Sequence, residues 1–224
     1  MSVKNPVLLN VPNIIKTKRL IMRPTLPEDA EVMLDALNDT EKELQEFLTW
    51  ADPIPTLENT RERNSQLLSR FILRESFSFN LFSKNGDFVG NCHICRLDWN
   101  VPSSIIGYWA NKKFHAQGLM TEAVKAVSLF GFQHLKLKRM MIQCDIDNLA
   151  SAKVAEKSGF EFELTAKGLI PAKEGEFRTT HQYVRFNADD IDQSEIQFET
   201  VSFLNADHIF DNAFNTSLKE TTFA

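Results

Sequence analysis

The chain has 224 residues, 43% hydrophobic and 25% charged, a length for one ordinary domain with or without an appendage and a composition that excludes a disordered or fibrous chain. No stretch approaches about eighteen uncharged apolar residues, and Met1 to Pro6 lacks a signal-peptide core, so no membrane role is expected. With only three cysteines the expected setting is the reducing cytoplasm.

The net charge of −5 is unevenly spread: from Asn187 onward eight acids face Lys219 alone, which leaves the body near +2 and without a basic footprint for nucleic acid. In chain order, Thr17 to Pro24 alternates as a first strand that Pro24 stops. Pro27, Glu28 and Asp29 open a helix carrying Ala30, Met33, Leu34 and Leu37 at helical spacing. After the Asp52–Pro55 break a second helix runs over roughly Leu57 to Leu73. Phe77, Phe79 and Leu81 alternate up to Asn85 and Gly86, a two-residue turn signal, and Phe88 to Leu97 returns as the other arm of a hairpin.

Ile105 to Trp109 reads as a strand, and the helix beginning near Gly118 carries one apolar stripe of Met120, Ala123, Val124, Val127 and Phe130/Gly131. Arg139 to Ile146 alternates as a strand, Ser151 to Ser158 is a short helix closed by Gly159, and Phe177 to Phe186 is a last strand. That order predicts an α/β sandwich with a mixed central sheet flanked by helices. Residues 1–186 form the domain and 187–224 an acidic extension containing Phe198, Phe203, Phe210 and Phe214. The extension reads either as a solvated tail or as a segment docked on its own domain or across a homodimer.

Gly118 stands where a strand hands over to a helix, whose first backbone N–H groups lack intrahelical partners and face outward. Such a turn accepts a phosphate closely, so the backbone from Gln117 to Thr121 is a candidate pyrophosphate site; the plainer reading is a turn glycine. Asn148 and Ser151, three residues apart, share the first turn of a helix, either as an N-cap and a surface serine or as two groups aimed at one point. Cys92 and Cys95 flank His93, but positions three apart in a strand face opposite sides, which argues against zinc, and no metal is expected. His134 and His181 have no readable partner pattern.

The run from Phe114 to Ala123, with Gly107, Tyr108 and Trp109 before it and Asp147, Asn148, Ser151, Val154, Ala155, Gly159 and Phe160 after it, resembles the GNAT N-acetyltransferases. It resembles most the Rim-type enzymes that acetylate ribosomal-protein N-termini, and Thr17, Arg19, Leu20, Arg23 and Pro24 extend the likeness over about residues 15–186. His115 and Met120 depart from the general pattern, which carries arginine or glutamine at the first position and glycine or alanine at the last. The resemblance implies acetyl-coenzyme A as co-substrate, direct transfer in a ternary complex and a protein α-amino group as acceptor.

By the same resemblance, the backbone of Tyr108, Trp109 and Ala110 would pair with the pantetheine amides, and His115, Gln117, Gly118, Leu119, Met120 and Thr121 would surround the phosphates. Asn148 would bind the pantetheine arm, Ser151 would protonate the leaving thiolate and Trp50 would wall the acceptor groove. Tyr108, Trp109 and Trp50 read equally as core residues. No base is assigned, because the family's glutamates are replaced by Ile105 and by Leu169, Ile170 and Pro171, while nothing orients Glu174 or Glu176. Two other readings stay open: a small-amine acetyltransferase acting on a polyamine, amino acid or antibiotic, for which Glu41, Glu43 and Glu46 would supply acids, and a non-catalytic acyl-coenzyme A-binding protein.

Overall fold

The structure, a computed structural model, describes residues 5–171 and 177–201. Its nine strands form one sheet in the order β7-β8-β6-β5-β4-β3-β2-β1-β9. They are β1 (Ile14–Lys16), β2 (Leu20–Pro24), β3 (Phe77–Ser83), β4 (Phe88–Asp98), β5 (Ser103–Ala110), β6 (Arg139–Asp145), β7 (Glu161–Pro171), β8 (Phe177–Arg185) and β9 (Gln197–Glu199). Five helices accompany them among the described residues: α1 (Ala30–Asp39), α2 (Glu41–Phe47), α3 (Leu57–Ile72), α4 (Leu119–Gln133) and α5 (Leu149–Lys157). Every neighbouring pair of strands is antiparallel except β5 and β6, which are parallel with α4 as the crossover. The mixed α/β sheet predicted from the sequence is therefore the one observed. None of the described helices is long and apolar enough to cross a membrane.

Both faces of the sheet centre are covered. Phe77, Phe79 and Leu81 of β3 pack with Val124, Val127 and Phe130 of α4. The intervening Ser78 and Asn80 are equally buried, on the face toward α1 and α3. Alternation of apolar and polar residues usually marks a half-solvated strand. Here the polar set is satisfied internally: Thr25 donates to Asn80 at 3.0 Å, and Asn91 donates to Asn80 at 2.8 Å and to Ser78 at 3.1 Å.

Several element boundaries differ from the sequence reading. Thr17 to Leu20 is a tight turn rather than the start of a strand, because the Thr17 N–H donates to the Leu20 carbonyl (2.9 Å) and the Thr17 hydroxyl accepts from the Leu20 N–H (3.0 Å). A separate strand, β1, precedes it. The Asn85–Gly86 signal lies in a longer loop, with the Gly86 N–H bonded to Ser83 and the Ser83 N–H to Asp87. Strand β7 escaped the pattern because it is a sheet-edge strand whose Phe162 and Leu164 are exposed. At the end of α5 the expected cap is present: Gly159 adopts φ +79°, and the Phe160 and Gly159 N–H groups close on the Ala155 and Glu156 carbonyls.

Helix α4 is buried beyond a single stripe. Ala126, Ser128 and Leu129 are also covered, since Ala188 and Ile191 pack on Leu129 after the chain leaves β8. β9 then pairs with β1, and Phe198 stacks on His134 with ring centroids 4.6 Å apart. The start of the acidic extension thus packs within its own chain, while Asp189, Asp192 and Glu195 are exposed. Phe203, Phe210 and Phe214 lie outside the described residues, as do Glu174 and Glu176.

Candidate active site

The parallel pairing of β5 with β6 stops at Ile106↔Ile142, although both strands continue, β5 through Ala110 and β6 through Asp145. The sheet therefore opens into a split beyond Ile106. On its other side β5 remains paired with β4 up to Gly90↔Ala110, and the Asn111 N–H donates to Val89 at 2.8 Å. Antiparallel bonds alternate residue by residue, so Trp109 and Gly107 direct their backbone groups at β4, while Tyr108 and Ala110 direct theirs into the split. An extended, amide-bearing ligand has two backbone positions to pair with there. The Ala110 carbonyl already meets His115 Nε2 at 3.0 Å. Trp109 thus contributes no backbone to the split, and its ring packs on the other face against Phe88 and Trp50.

At the open end of the split lies the N-terminus of α4. Gly118 occupies the N-cap position at φ +75° without a side-chain cap, and Ala116 is also left-handed at φ +59°. Successive turns of this kind curl backbone N–H groups toward one point, which is how loops hold anions. A Cβ at Gly118 would meet only Arg19 Nη2, at 3.6 Å, so the space in front of the turn is open and flanked by a cation. Arg19 is fixed by Glu122, its Nε lying 2.6 Å from the carboxylate, and donates to the Gln117 carbonyl at 2.8 Å. Burial alone would raise the Glu122 carboxyl, but hydrogen bonds from Thr17 and Arg19 hold it below its ordinary value. These residues fit a pyrophosphate.

Around this turn the structure offers mainly backbone, as expected for the stretch from Gln117 to Thr121. Leu119 is buried and Met120 packs partly on the core, so both present only N–H groups. Gln117 turns back to the Lys113 carbonyl at 2.9 Å, and the Thr121 carbonyl accepts from Ser158. Arg19 is the neighbour that spacing could not place beside Gly118.

Helix α5 closes the split from one face. Asn148 is its N-cap, Oδ1 accepting from the Ser151 N–H at 3.0 Å, so the capping role is realised and only the amide nitrogen is left to face a ligand. The Ser151 hydroxyl lies 2.9 Å from the Tyr108 hydroxyl, which is also 3.0 Å from the Ser151 carbonyl. Burial pushes the Tyr108 phenol well up, the Ser151 hydrogen bond pulling the other way, so it remains a proton donor at neutral pH. Cys144 of β6 also contacts Ser151, and burial raises its thiol despite that hydrogen bond. Tyr108, Ser151 and Cys144 gather at the foot of the split, a grouping the sequence separation of Tyr108 from Ser151 concealed.

The opposite face is a small pocket lined by Met33, Leu37, Trp50, Arg63, Asn64, Asn91 and Trp109. Trp50 and Trp109 meet edge to face, centroids 6.5 Å apart, and the Arg63 guanidinium lies 4.3 Å from the Trp50 ring centre. Trp50 is thus both packed and part of a pocket wall. Glu41, Glu43 and Glu46 of α2 are exposed to solvent rather than turned into this pocket. Cys92 joins the core on the α4 face and Cys95 projects to the other, and no metal-holding group of ligands occurs among the described residues. His134 packs beside Phe198, and His181 meets the Thr165 hydroxyl at 2.9 Å between Phe162 and Tyr183.

Residues 19–161 match the family model of the acetyltransferase (GNAT) domain. A probable N-acetyltransferase, YjcK of Bacillus subtilis (strain 168), is 30% identical over 157 residues, covering 69% of this chain and 87% of that protein. The ribosomal-protein-serine acetyltransferase of Escherichia coli (strain K12) is 29% identical over 54% of this chain and 66% of its own length. In fold, the ribosomal L7/L12 α-N-protein acetyltransferase RimL, solved with coenzyme A as a disulfide to one of its cysteines, superposes with a TM-score of 0.73 at 22% identity, covering 80% of this chain and all of that one.

Proposed function

We propose, from the premise that this chain belongs to the GNAT acetyltransferase family and takes its acetyl group from acetyl-coenzyme A, that it acetylates the α-amino group of a protein N-terminus, with a ribosomal protein as first candidate. The observation that carries the reading is the Tyr108–Ser151 pair, 2.9 Å apart at the foot of the split, where the pantetheine arm would end. Acetyl transfer requires a neutral amine and a proton for the departing thiolate. Ser151 has that proton and Tyr108 can replace it. A purely acyl-coenzyme A-binding protein has no use for such a relay.

Pantetheine would lie along the backbone of Tyr108 and Ala110, with Asn148 beside it and the pyrophosphate on the N–H groups from Gln117 to Thr121. The amine would enter from the Trp50–Trp109 side. Arg63 has no carboxylate partner among the described residues and stands in that pocket, which disfavours a polycationic acceptor such as a polyamine. The same cation favours the second reading, a small amine that carries its own negative charge. The enzyme would work in the cytoplasm, where acetyl-coenzyme A and nascent ribosomal proteins meet.

Thiol release from acetyl-coenzyme A, measured against a panel of N-terminal peptides, anionic small amines, polyamines and aminoglycosides, tests the acceptor class. Peptides starting with serine or alanine should turn over best, and turnover with polyamines alone would overturn the assignment. The donor side has its own test. Gly118→Val puts a β-branched residue at φ +75° and should weaken coenzyme A binding by more than about tenfold, ~1.4 kcal/mol. Unchanged affinity by calorimetry in a folded variant would move the pyrophosphate off this turn.

A further inference from the structure

We propose that His93 is the catalytic base that takes the proton from the attacking amine; the inference rests on the acetyl-transfer reading of the same site. The carboxylate positions expected from the family are held by apolar residues, Ile105 among them. In β4, residues 91, 93 and 95 share one face, because side chains alternate along a strand. That face is the pocket side, since Asn91 lines the pocket and pairs with Trp109. His93 pairs with Gly107 and Cys95 with Ile105, so His93 lies between the pocket and the residue that replaces the family's glutamate.

Gly107 explains how far the ring reaches. A Cβ placed there would stand 2.5 Å from His93 Cε1 and 2.8 Å from Nε2, so the tip of the imidazole lies over the backbone of β5 in the space a side chain would fill. Gly107 immediately follows Ile106, the last β5 residue paired with β6, and the ring tip therefore overhangs the apex of the split. The next residue, Tyr108, projects from the opposite face to Ser151. Two consecutive residues of β5 thus mark a proton acceptor on the amine side and a proton donor on the thiol side.

No described residue hydrogen-bonds either nitrogen of the ring. Arg63 faces it from α3, and Cys95 shares its strand face. Burial, with Arg63 adding to it, pushes the imidazole down to about 4, so at neutral pH it is uncharged and its lone pair is free, while its basicity falls below that of an ordinary histidine; what equips it for the step is its position over Gly107.

The amine lone pair forms the C–N bond at the thioester carbonyl carbon while the carbonyl π pair moves to oxygen, and the resulting ammonium loses its proton to His93. The oxyanion then collapses, the C–S bond breaks and the thiolate takes the Ser151 proton, which Tyr108 replaces. The imidazolium returns its proton to solvent, and solvent reprotonates the Ser151–Tyr108 pair.

An α-amine, with a pKa of about 7.7–8.0, is already partly neutral near pH 7, so a base contributes modestly here. His93→Gln should lower kcat about tenfold to hundredfold with coenzyme A affinity unchanged by calorimetry. Gly107→Ala should act in the same direction with the histidine itself unsubstituted, because the added methyl displaces the tip of its ring. The double variant should cost no more than the worse single one, since both remove the same group. Added imidazole should restore turnover to His93→Ala, which a merely structural role would not allow. Full activity of folded His93→Gln, additive losses in the double variant, or absent rescue each overturn the assignment. A wild type that releases thiol with no amine would instead sink the acetyl-transfer reading, and the base with it.

Discussion

Ser151→Ala should lower turnover by about 10²–10⁴-fold, ~2.7–5.4 kcal/mol at the transition state, while acetyl-coenzyme A should bind nearly as before. The selectivity follows from what the side chain does. Asn148 caps the helix through the Ser151 N–H, which alanine keeps, so α5 should remain in place. What is lost is a hydroxyl positioned by Tyr108. Tyr108 has one proton and two acceptors in reach, the Ser151 hydroxyl and carbonyl. When it donates to the hydroxyl, the Ser151 proton is free to point at the leaving sulfur. Tyr108→Phe removes that bias and should produce a smaller loss in the same parameter. Steady-state kcat beside a calorimetric dissociation constant separates the outcomes. Wild-type turnover in Ser151→Ala would return the serine to the surface of a capped helix, and an equal loss in kcat and affinity would make it a binding residue.

The parts of this fold that were legible are those whose signal is local. The α3 periodicity, the α4 start at Gly118 and the Gly159 cap each rest on a few neighbouring residues, and each stands within a residue or two of where the pattern puts it. The misses share a different cause. β9 is three residues long and exists because Phe198 and its neighbours find β1 across the sheet, a pairing no window of sequence contains. The burial of Ser78 and Asn80 has no local signal, because their hydrogen-bond partners are Thr25, just past β2, and Asn91 of β4.

The site divides in the same way. The candidate groups around Gly118 and on the Asn148–Ser151 turn can be read from sequence because they are backbone or lie within one turn. Trp109 was misassigned for want of strand register: whether a β residue turns its backbone to one neighbour or the other depends on a pairing parity that only the Asn111–Val89 bond reveals. In sequence His93 is hidden within the Cys92–Cys95 pattern. The signal that would have freed it was the same period-2 argument that separated the cysteines, carried across to the absent side chain at Gly107.

Asp29→Ala should destabilise the protein by about 3–5 kcal/mol, because it strands a charge that the fold has enclosed. Arg23 is fully buried, and its guanidinium meets Asp29 in two contacts of 2.5 and 2.8 Å. The carboxylate also accepts from Asn80 at 2.7 Å and from the Leu26 N–H at 2.9 Å, so alanine leaves a cation and two further donors short of an acceptor in an interior with little water to replace it. For a domain of this size that loss corresponds to a fall of roughly 6–20 °C in Tm. The damage should reach the active site by a traceable route. Asp29 sits at the start of α1, Asn64 of α3 donates to the Leu26 carbonyl at 3.0 Å, and Met33 and Asn64 both line the pocket proposed for the acceptor. Loosening this corner should therefore raise KM for the amine more than it alters coenzyme A binding, which is proposed for the far side of the split. Arg23→Met combined with Asp29→Leu removes the charges together and should recover part of the stability, leaving Asn80 and Leu26 as the residual cost. Thermal unfolding of the three proteins checks the argument: a single variant within about 1 kcal/mol of wild type, or a double variant worse than the single, would show that the pair is not what holds this corner closed.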